Sequence, residues 1–210
     1  LMTKESVRLA GSGRTDAGVH ALAQVASFTT ESRIPADGFL AGLNSLLPDD
    51  IVILDCEEVA DDFHARFSAK TKTYQYRIYN QPIPMAVGRQ YAWHVRKPLD
   101  IAAMNQAAAY ILGTHDFKSF EGAGSPKAHT ARTVFHTIVE KTSEGVVLFE
   151  ITANGFLRYM VRNLVGTLVD VGMEKTTPEG FKEILEAEHR DRAGATAPAH
   201  GLFLVKVDYA

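Results

Sequence analysis

The sequence predicts an α+β fold made of two halves, each an antiparallel sheet backed by helices, with a cleft between them. Three observations carry this. Several segments of five to ten residues alternate apolar and polar side chains with the period of two that a half-buried strand requires. Between them lie segments with a 3.6-residue apolar period and recognisable ends. The order of these elements after residue 60 is β-α-β-β-α-(α)-β, and the first 60 residues read β-β-α-β, the same order without its opening strand and helix. A complete βαββαβ unit is the ferredoxin-like, RRM-like layout. Residues 1–60 and 61–210 are therefore expected to be the two halves.

Each element has a local reason. Residues 6–10 (SVRLA) read as a short strand, 11–18 (GSGRTDAG) as a glycine-rich loop and 24–29 (QVASFT) as a second strand. A helix is expected over 37–47, with Asp37 as N-cap and Pro48 as stop. Residues 51–59 (IVILDCEEV) read as a third strand. In 71–80 (TKTYQYRIYN) the alternation puts Lys72, Tyr74, Tyr76 and Ile78 on one face. Asp100 and Gly113 bracket a helix over 100–112. Strands are expected over 131–140 and 145–153, joined by a turn at Ser143–Gly145. A helix follows over 156–172, ended by Gly172, and another over 178–188, with Thr177 as cap and Pro178 in the first turn. Residues 190–200 (RDRAGATAPAH) read as a loop ordered against the cleft, and 201–208 (GLFLVKVD) as the closing strand.

Composition narrows the class. The 210 residues are 46% apolar and 22% charged, as in an ordinary folded protein of one large or two small domains. A single cysteine, Cys56, precludes an intrachain disulfide and a four-thiolate zinc site, and fits a reducing compartment. No apolar run approaches a membrane span, and the opening LMTKESVRLAG does not read as a signal peptide. The net charge of −3 speaks against a nucleic-acid partner until it is resolved along the chain. Residues 1–60 carry 4 basic and 9 acidic side chains, whereas the window 63–97 carries seven basic residues, seven aromatic ones and no acid. Cations interleaved with flat rings suit a polyanion with unstacked bases. The plainer reading is a half-buried strand with a solvated basic edge.

Two motifs stand out. In Gly11-Ser12-Gly13-Arg14-Thr15-Asp16-Ala17-Gly18-Val19-His20, glycines bracket an Arg and an Asp, which permits tight turns and close approach of a ligand. The spacing meets neither the dinucleotide fingerprint nor the P-loop. An isolated loop Asp is ordinarily a turn or cap residue. His20 with Asp16 could form an acid–base pair, although a structural histidine is the plainer reading. In 156–172 (FLRYMVRNLVGTLVDVG), Leu157, Met160, Val161, Leu164, Val165 and Leu168 make an apolar stripe. Arg158 and Arg162, four apart, would share a face and repel unless an anion or carboxylate neutralises them. The alternative is a solvated face with snorkelling stems. The eight histidines lack metal-ligand spacing, and no GxSxG elbow is present.

GSGRTDAGVHALAQVASF, DDFHARFSAKTKTYQYRIYN (61–80), FLRYMVRNLVGTLVDVG and APAHGLFLVKVDY (197–209) resemble, in order and at similar separations, the signatures of the tRNA pseudouridine synthase A (TruA) family. The resemblance implies an enzyme that isomerises uridine to pseudouridine in the anticodon stem-loop of tRNA, typically at positions 38–40. It implies no metal and no organic cofactor, a cytoplasmic homodimer with tRNA across both subunits, and an active site in the central cleft. Residue by residue, Asp16 falls on the catalytic nucleophile and Arg14 on the arginine that displaces the target base. Tyr74 falls on the ring that packs against the flipped uracil, and Arg162 on the basic partner of the catalytic carboxylate. Phe63, His64, Arg66 and Phe67 of the FHARF stretch match a segment lining the RNA path. Arg132 is assigned to that path with them, and Arg158 is expected to meet RNA as the second cation of its pair.

Two departures accompany the resemblance. Family members begin with a strand and helix, carrying Tyr-Asp-Gly and Gly-Trp-Gln elements, ahead of the equivalent of Ser6–Ala10; they are missing here. The stretch 121–132 (EGAGSPKAHTAR) carries a few extra residues, expected to alter RNA contacts. A catalytically inactive, truncated RNA-binding module is the first alternative. A phosphate-handling enzyme built on the glycine loop is the second.

Overall fold

The computed structural model describes residues 2–122 and 129–209. Half of the stretch 121–132, residues 123–128, lies outside the described residues. The fold is α+β, and the chain divides into two compact units: Leu1–Gly13 with Val25–Ser68, and Arg14–Gln24 with Ala69–Ala210. The Asp16 segment therefore belongs with the larger unit.

In the smaller unit, strands β1 (Ala10–Gly11) and β3 (Ala26–Ser27) pair antiparallel. Helix α1 (Ala36–Leu46) follows, with Phe39 buried edge-on against Phe28. The expected strands at 6–10 and 24–29 shrink to these two-residue bridges. Asp37 is not the N-cap: Pro35 holds that position, and the Asp37 carboxylate accepts from the Gly38 N–H within the first turn. The strand expected over 51–59 does not form among the described residues. Its backbone is answered locally instead. The Ile53 N–H donates to Asn44 Oδ1 at 2.7 Å, and Asn44 Nδ2 donates to the Ile53 carbonyl at 2.9 Å. A side-chain amide has taken the place of a neighbouring strand, and Leu54 stays 77% exposed.

The larger unit is a seven-stranded mixed sheet. Its strands are β2 (His20–Ala21), β4 (Thr71–Tyr79), β5 (Trp93–His94), β6 (Gly113–Asp116), β7 (Ala131–Lys141), β8 (Val146–Ala153) and β9 (Leu202–Asp208). They run β2-β9-β4-β8-β7-β6, with β5 beside β4. β2 is parallel to β9 and β5 to β4; the remaining pairs are antiparallel. Lys72, Tyr74, Tyr76 and Ile78 do share a face, opposite Ala153, Ile151, Phe149 and Val147 respectively. That face packs into one apolar core with α2 (Ile101–Ala109), α3 (Met160–Gly172) and α4 (Pro178–Glu186). Burial of Met104, Leu164, Leu168 and Phe181 here stabilises the fold by about 1.5–3 kcal/mol per side chain relative to exposure.

Caps expected from sequence are present. Asp100 accepts from the Ala103 N–H at 2.9 Å, and Thr177 from the Gly180 N–H at 3.0 Å. The helix expected to run to 112 and end at Gly113 stops instead at Ala109, with Tyr110 as its C-cap, and Gly113, at φ 94° in the left-handed region that favours glycine, opens β6. The start of α3 differs from expectation. Residues 156–159 are not helical, and Tyr159 sits before the helix at φ 61°. No helix among the described residues is long and apolar enough to cross a membrane.

Candidate active site

Asp16 opens a turn. Its carbonyl accepts from the Val19 N–H at 3.1 Å, with Gly18 at φ 82° in the third position, where an L side chain would be strained. The chain then enters β2, paired to β9 at His20–Phe203 and Ala21–Leu204. His20 secures this entry: its ring stacks on Phe203 at 4.8 Å, lies 5.0 Å from Tyr91, and its Nε2 bonds the Gln90 carbonyl at 3.0 Å. It is a structural histidine, and Asp16 finds its partner elsewhere.

That partner is Arg162. Its Nη1 donates to Asp16 Oδ2 at 3.0 Å, the side chains being 16% and 27% exposed respectively. Arg162 Nε donates to the Ala197 carbonyl at 2.7 Å, and its guanidinium carbon lies 5.0 Å from the centre of the Tyr159 ring. One guanidinium thus meets a carboxylate, a carbonyl and an aromatic face, a use for which a planar fork suits better than an ammonium. Tyr74 on β4 lies edge-on to Phe156 at 5.0 Å. Burial first, and then the negative charge of Asp16, push its phenol up to about 12, so it is a neutral hydroxyl at physiological pH. Next along this face, Tyr76 is fully buried and donates to the Pro198 carbonyl at 2.7 Å, and burial raises its phenol as well.

The Arg158/Arg162 pairing expected on one helical face does not exist in that form. Arg158 precedes the helix, is exposed, and lies over the Tyr159 ring at 4.7 Å while its Nη2 donates to the Tyr159 hydroxyl at 3.1 Å. The ring lies against both guanidinium groups and moderates their repulsion. No sequence pattern marks Tyr159 for this role. A hint exists in Gly122, whose N–H donates to the Arg158 carbonyl and where a Cβ would overlap the Tyr159 ring.

The other expected residues are distributed as follows. Arg14 is exposed on the same segment as Asp16. Arg132 on β7 is half-buried; its Nη1 donates to the carbonyls of Ala131 and His129, and burial lowers its guanidinium from the usual value. In the smaller unit, His64 Nδ1 accepts from the N–H groups of Arg66 and Phe67, which fixes its acceptor nitrogen and folds FHARF into a tight turn. The Ala65 N–H donates to Ser27 Oγ there. Phe63 is half-buried, whereas Phe67 is 76% exposed with Arg66 over its ring at 5.6 Å. Of the seven rings in the acid-free window, Tyr76 belongs to the core, while Phe67 and Tyr91 are exposed. Among the described residues, no group of three His, Cys, Asp or Glu side chains is arranged to hold a metal ion.

A family model described as tRNA pseudouridine synthase matches residues 2–68 and 107–210. The chain belongs to the tRNA pseudouridine synthase family. A tRNA pseudouridine synthase A of Moorella thermoacetica is 50% identical over 208 residues, covering 99% of this chain and 84% of the relative. That of Thermoanaerobacter sp. (strain X514) is 49% identical, with 99% and 85% covered. That of Acetivibrio thermocellus is 50% identical over the same shares. Within this pseudouridine synthase, both members of the 3.0 Å ion pair lie inside the matched segments, whereas Tyr74 lies between them.

Proposed function

We propose that this chain is a tRNA pseudouridine synthase, an isomerase that converts uridine to pseudouridine at positions 38, 39 and 40 of the anticodon stem-loop, with Asp16 as nucleophile. The observation that carries the reading is the Arg162–Asp16 pair at 3.0 Å beside the neutral Tyr74 phenol. A partly buried carboxylate is useful as a nucleophile only if it is aimed, and the guanidinium holds its orientation.

The target base leaves its stack first, at a cost of a few kcal/mol. Arg14, exposed and two residues before Asp16, fills the vacated space. Asp16 then bonds covalently to the nucleoside. If it attacks C1′, an ester forms there as the C1′–N1 bond breaks, and uracil departs as an anion. The uracil turns against Tyr74, C5 bonds to C1′, and the carboxylate is released. C5 loses its proton and N1 gains one, so the product is an isomer. Attack at C6 leads to the same product. With its phenol near 12, Tyr74 is about one part in 10⁵ phenolate at pH 7, so it serves as a neutral surface and hydrogen-bond donor. A water then takes the C5 proton.

Phe63, His64, Arg66 and Phe67, with Arg132 and Arg158, contact the RNA; exposed rings and cations suit stacked bases and phosphates. The enzyme works in the cytoplasm as a homodimer across which tRNA lies, and requires neither metal nor cofactor. The test is pseudouridine mapping in tRNA transcripts with uridine at 38–40. Asp16→Asn, nearly isosteric but not nucleophilic, abolishes product while retaining tRNA binding. If the wild-type chain binds tRNA without turnover, the proposal fails and an inactive RNA-binding module replaces it.

A further inference from the structure

Arg162 and its helical neighbour Asn163 both face the strap formed by residues 189–198. The backbone of the strap is reciprocally clamped to Arg162: the Ala197 N–H donates to the Arg162 carbonyl at 3.1 Å, and Arg162 Nε donates back to the Ala197 carbonyl at 2.7 Å. Asn163 is fully buried, and its Oδ1 accepts from Thr196 Oγ1 at 2.6 Å and from Arg190 Nη2 at 3.1 Å. Its Nδ2 donates to the Phe120 carbonyl at 2.8 Å, which fixes the amide's orientation.

Arg190 ties the strap to itself and to α3 together. Nη1 donates to the carbonyls of Ala193 and Gly194 at 3.2 and 3.1 Å, and Nη2 also reaches Thr196 Oγ1 at 3.2 Å. These four partners are neutral oxygens. A half-buried guanidinium spent on neutral acceptors does not neutralise a charge; it fixes the path of a backbone. The fit is close. The Gly194 N–H donates to Thr167 Oγ1 at 2.9 Å, and a Cβ on Gly166 would overlap the Ala195 carbonyl oxygen.

We infer that Arg190, through Asn163 and Thr196, is a positioning residue for catalysis: it sets the place of the Ala197 carbonyl, and hence the aim of the Arg162 guanidinium at Asp16. The inference rests on the proposed role of the Asp16–Arg162 pair. A displacement near 1 Å at a reacting group can cost about 100-fold in rate, and an indirect effect is smaller. Arg190→Ala is expected to lower single-turnover kcat about 10-fold, with KM changed less than twofold.

A double-mutant cycle tests the route. If Arg190 acts through Arg162, Arg190→Ala lowers kcat in the wild-type background and has no further effect in Arg162→Gln. Equal losses in both backgrounds, or a rise in KM at unchanged kcat, overturn the inference. Full activity of Arg162→Gln alone would instead overturn the underlying ion-pair role, a separate result. Thr196→Val removes one hydroxyl at nearly constant volume. It is expected to give the same pattern in milder form, and answers the question if Arg190→Ala does not fold.

Discussion

Replacing Arg162 with glutamine tests the centre of the proposed site. At 3.0 Å, two unit charges attract by about 5.5 kcal/mol at an effective dielectric constant of about 20. The side chains retain 16% and 27% exposure, so water screens part of this attraction. Two consequences for catalysis oppose each other. The guanidinium withdraws charge from the carboxylate and weakens it as a nucleophile, so its loss alone would raise reactivity. It also aims the carboxylate, which otherwise rides on a turn with freedom to reorient. Aim dominates, because misplacement near 1 Å costs about 100-fold, whereas the attraction lost has been partly screened. Turnover is therefore expected to fall about 100-fold with little change in tRNA affinity. Stability falls by about 1–2 kcal/mol, below the value for breaking a fully buried pair. Tritium release from tRNA carrying 5-tritiated uridine, with enzyme in excess, measures the step at which C5 loses its hydrogen. Arg162→Lys restores charge without the two-sided fork, so it recovers turnover only in part. A kcat for Arg162→Gln within threefold of wild type would refute the reasoning.

Tyr74 makes a pH prediction. Unfolded tyrosine ionises near pH 10, while the folded state holds this proton to about 12; the stabilisation is thus complete below pH 10 and lost as pH rises to 12, a fall of ~2–3 kcal/mol. Urea titrations across that range should show a shallower fall for Tyr74→Phe, and parallel curves would contradict the burial argument. Gly166→Ala drives a methyl into the Ala195 carbonyl oxygen and is expected to cost about 2–3 kcal/mol in urea unfolding, with a change below 0.5 kcal/mol showing that the strap yields freely.

What was legible in the sequence follows the range of the interactions concerned. Asp100 and Thr177 cap helices through bonds three residues long, so their roles are written locally. The face of β4 is legible for a similar reason: alternation alone puts Tyr74 and Tyr76 together, and only the neighbouring strands decide that Tyr76 becomes core. Residues 51–59 have the composition of a strand, but a strand exists only when another backbone answers it, and here Asn44 does so at Ile53. The start of α3 has no local signal, because no Ser, Thr, Asp or Asn lies between Gly155 and Tyr159 to mark it. The boundary is set instead by a left-handed Tyr159 packed on Gly122.

The site repeats this division. The pairing of Asp16 with Arg162 came from a resemblance spanning the chain, since 146 residues separate the two and no local pattern connects them. Two arginines four apart beside an apolar stripe nevertheless carry a local cost that an anion or a solvated face must answer. The anion is present, and the shared face is not. Asp16 supplies the anion to Arg162, and the left-handed residue before α3 takes Arg158 off the helix altogether. The Tyr159 ring then lies against both cations, and the strap carbonyl of Ala197 holds the one that meets the carboxylate. Arg190 gave no such warning, because a single arginine in a loop reads as solvated until its neutral partners are known. Its four acceptors come from positions 163, 193, 194 and 196, so that contact pattern is a property of the folded strap on α3. Arg162 aims the Asp16 carboxylate, whereas Arg190, bound to carbonyl, amide and hydroxyl oxygens, fixes the backbone of the strap whose Ala197 carbonyl holds Arg162.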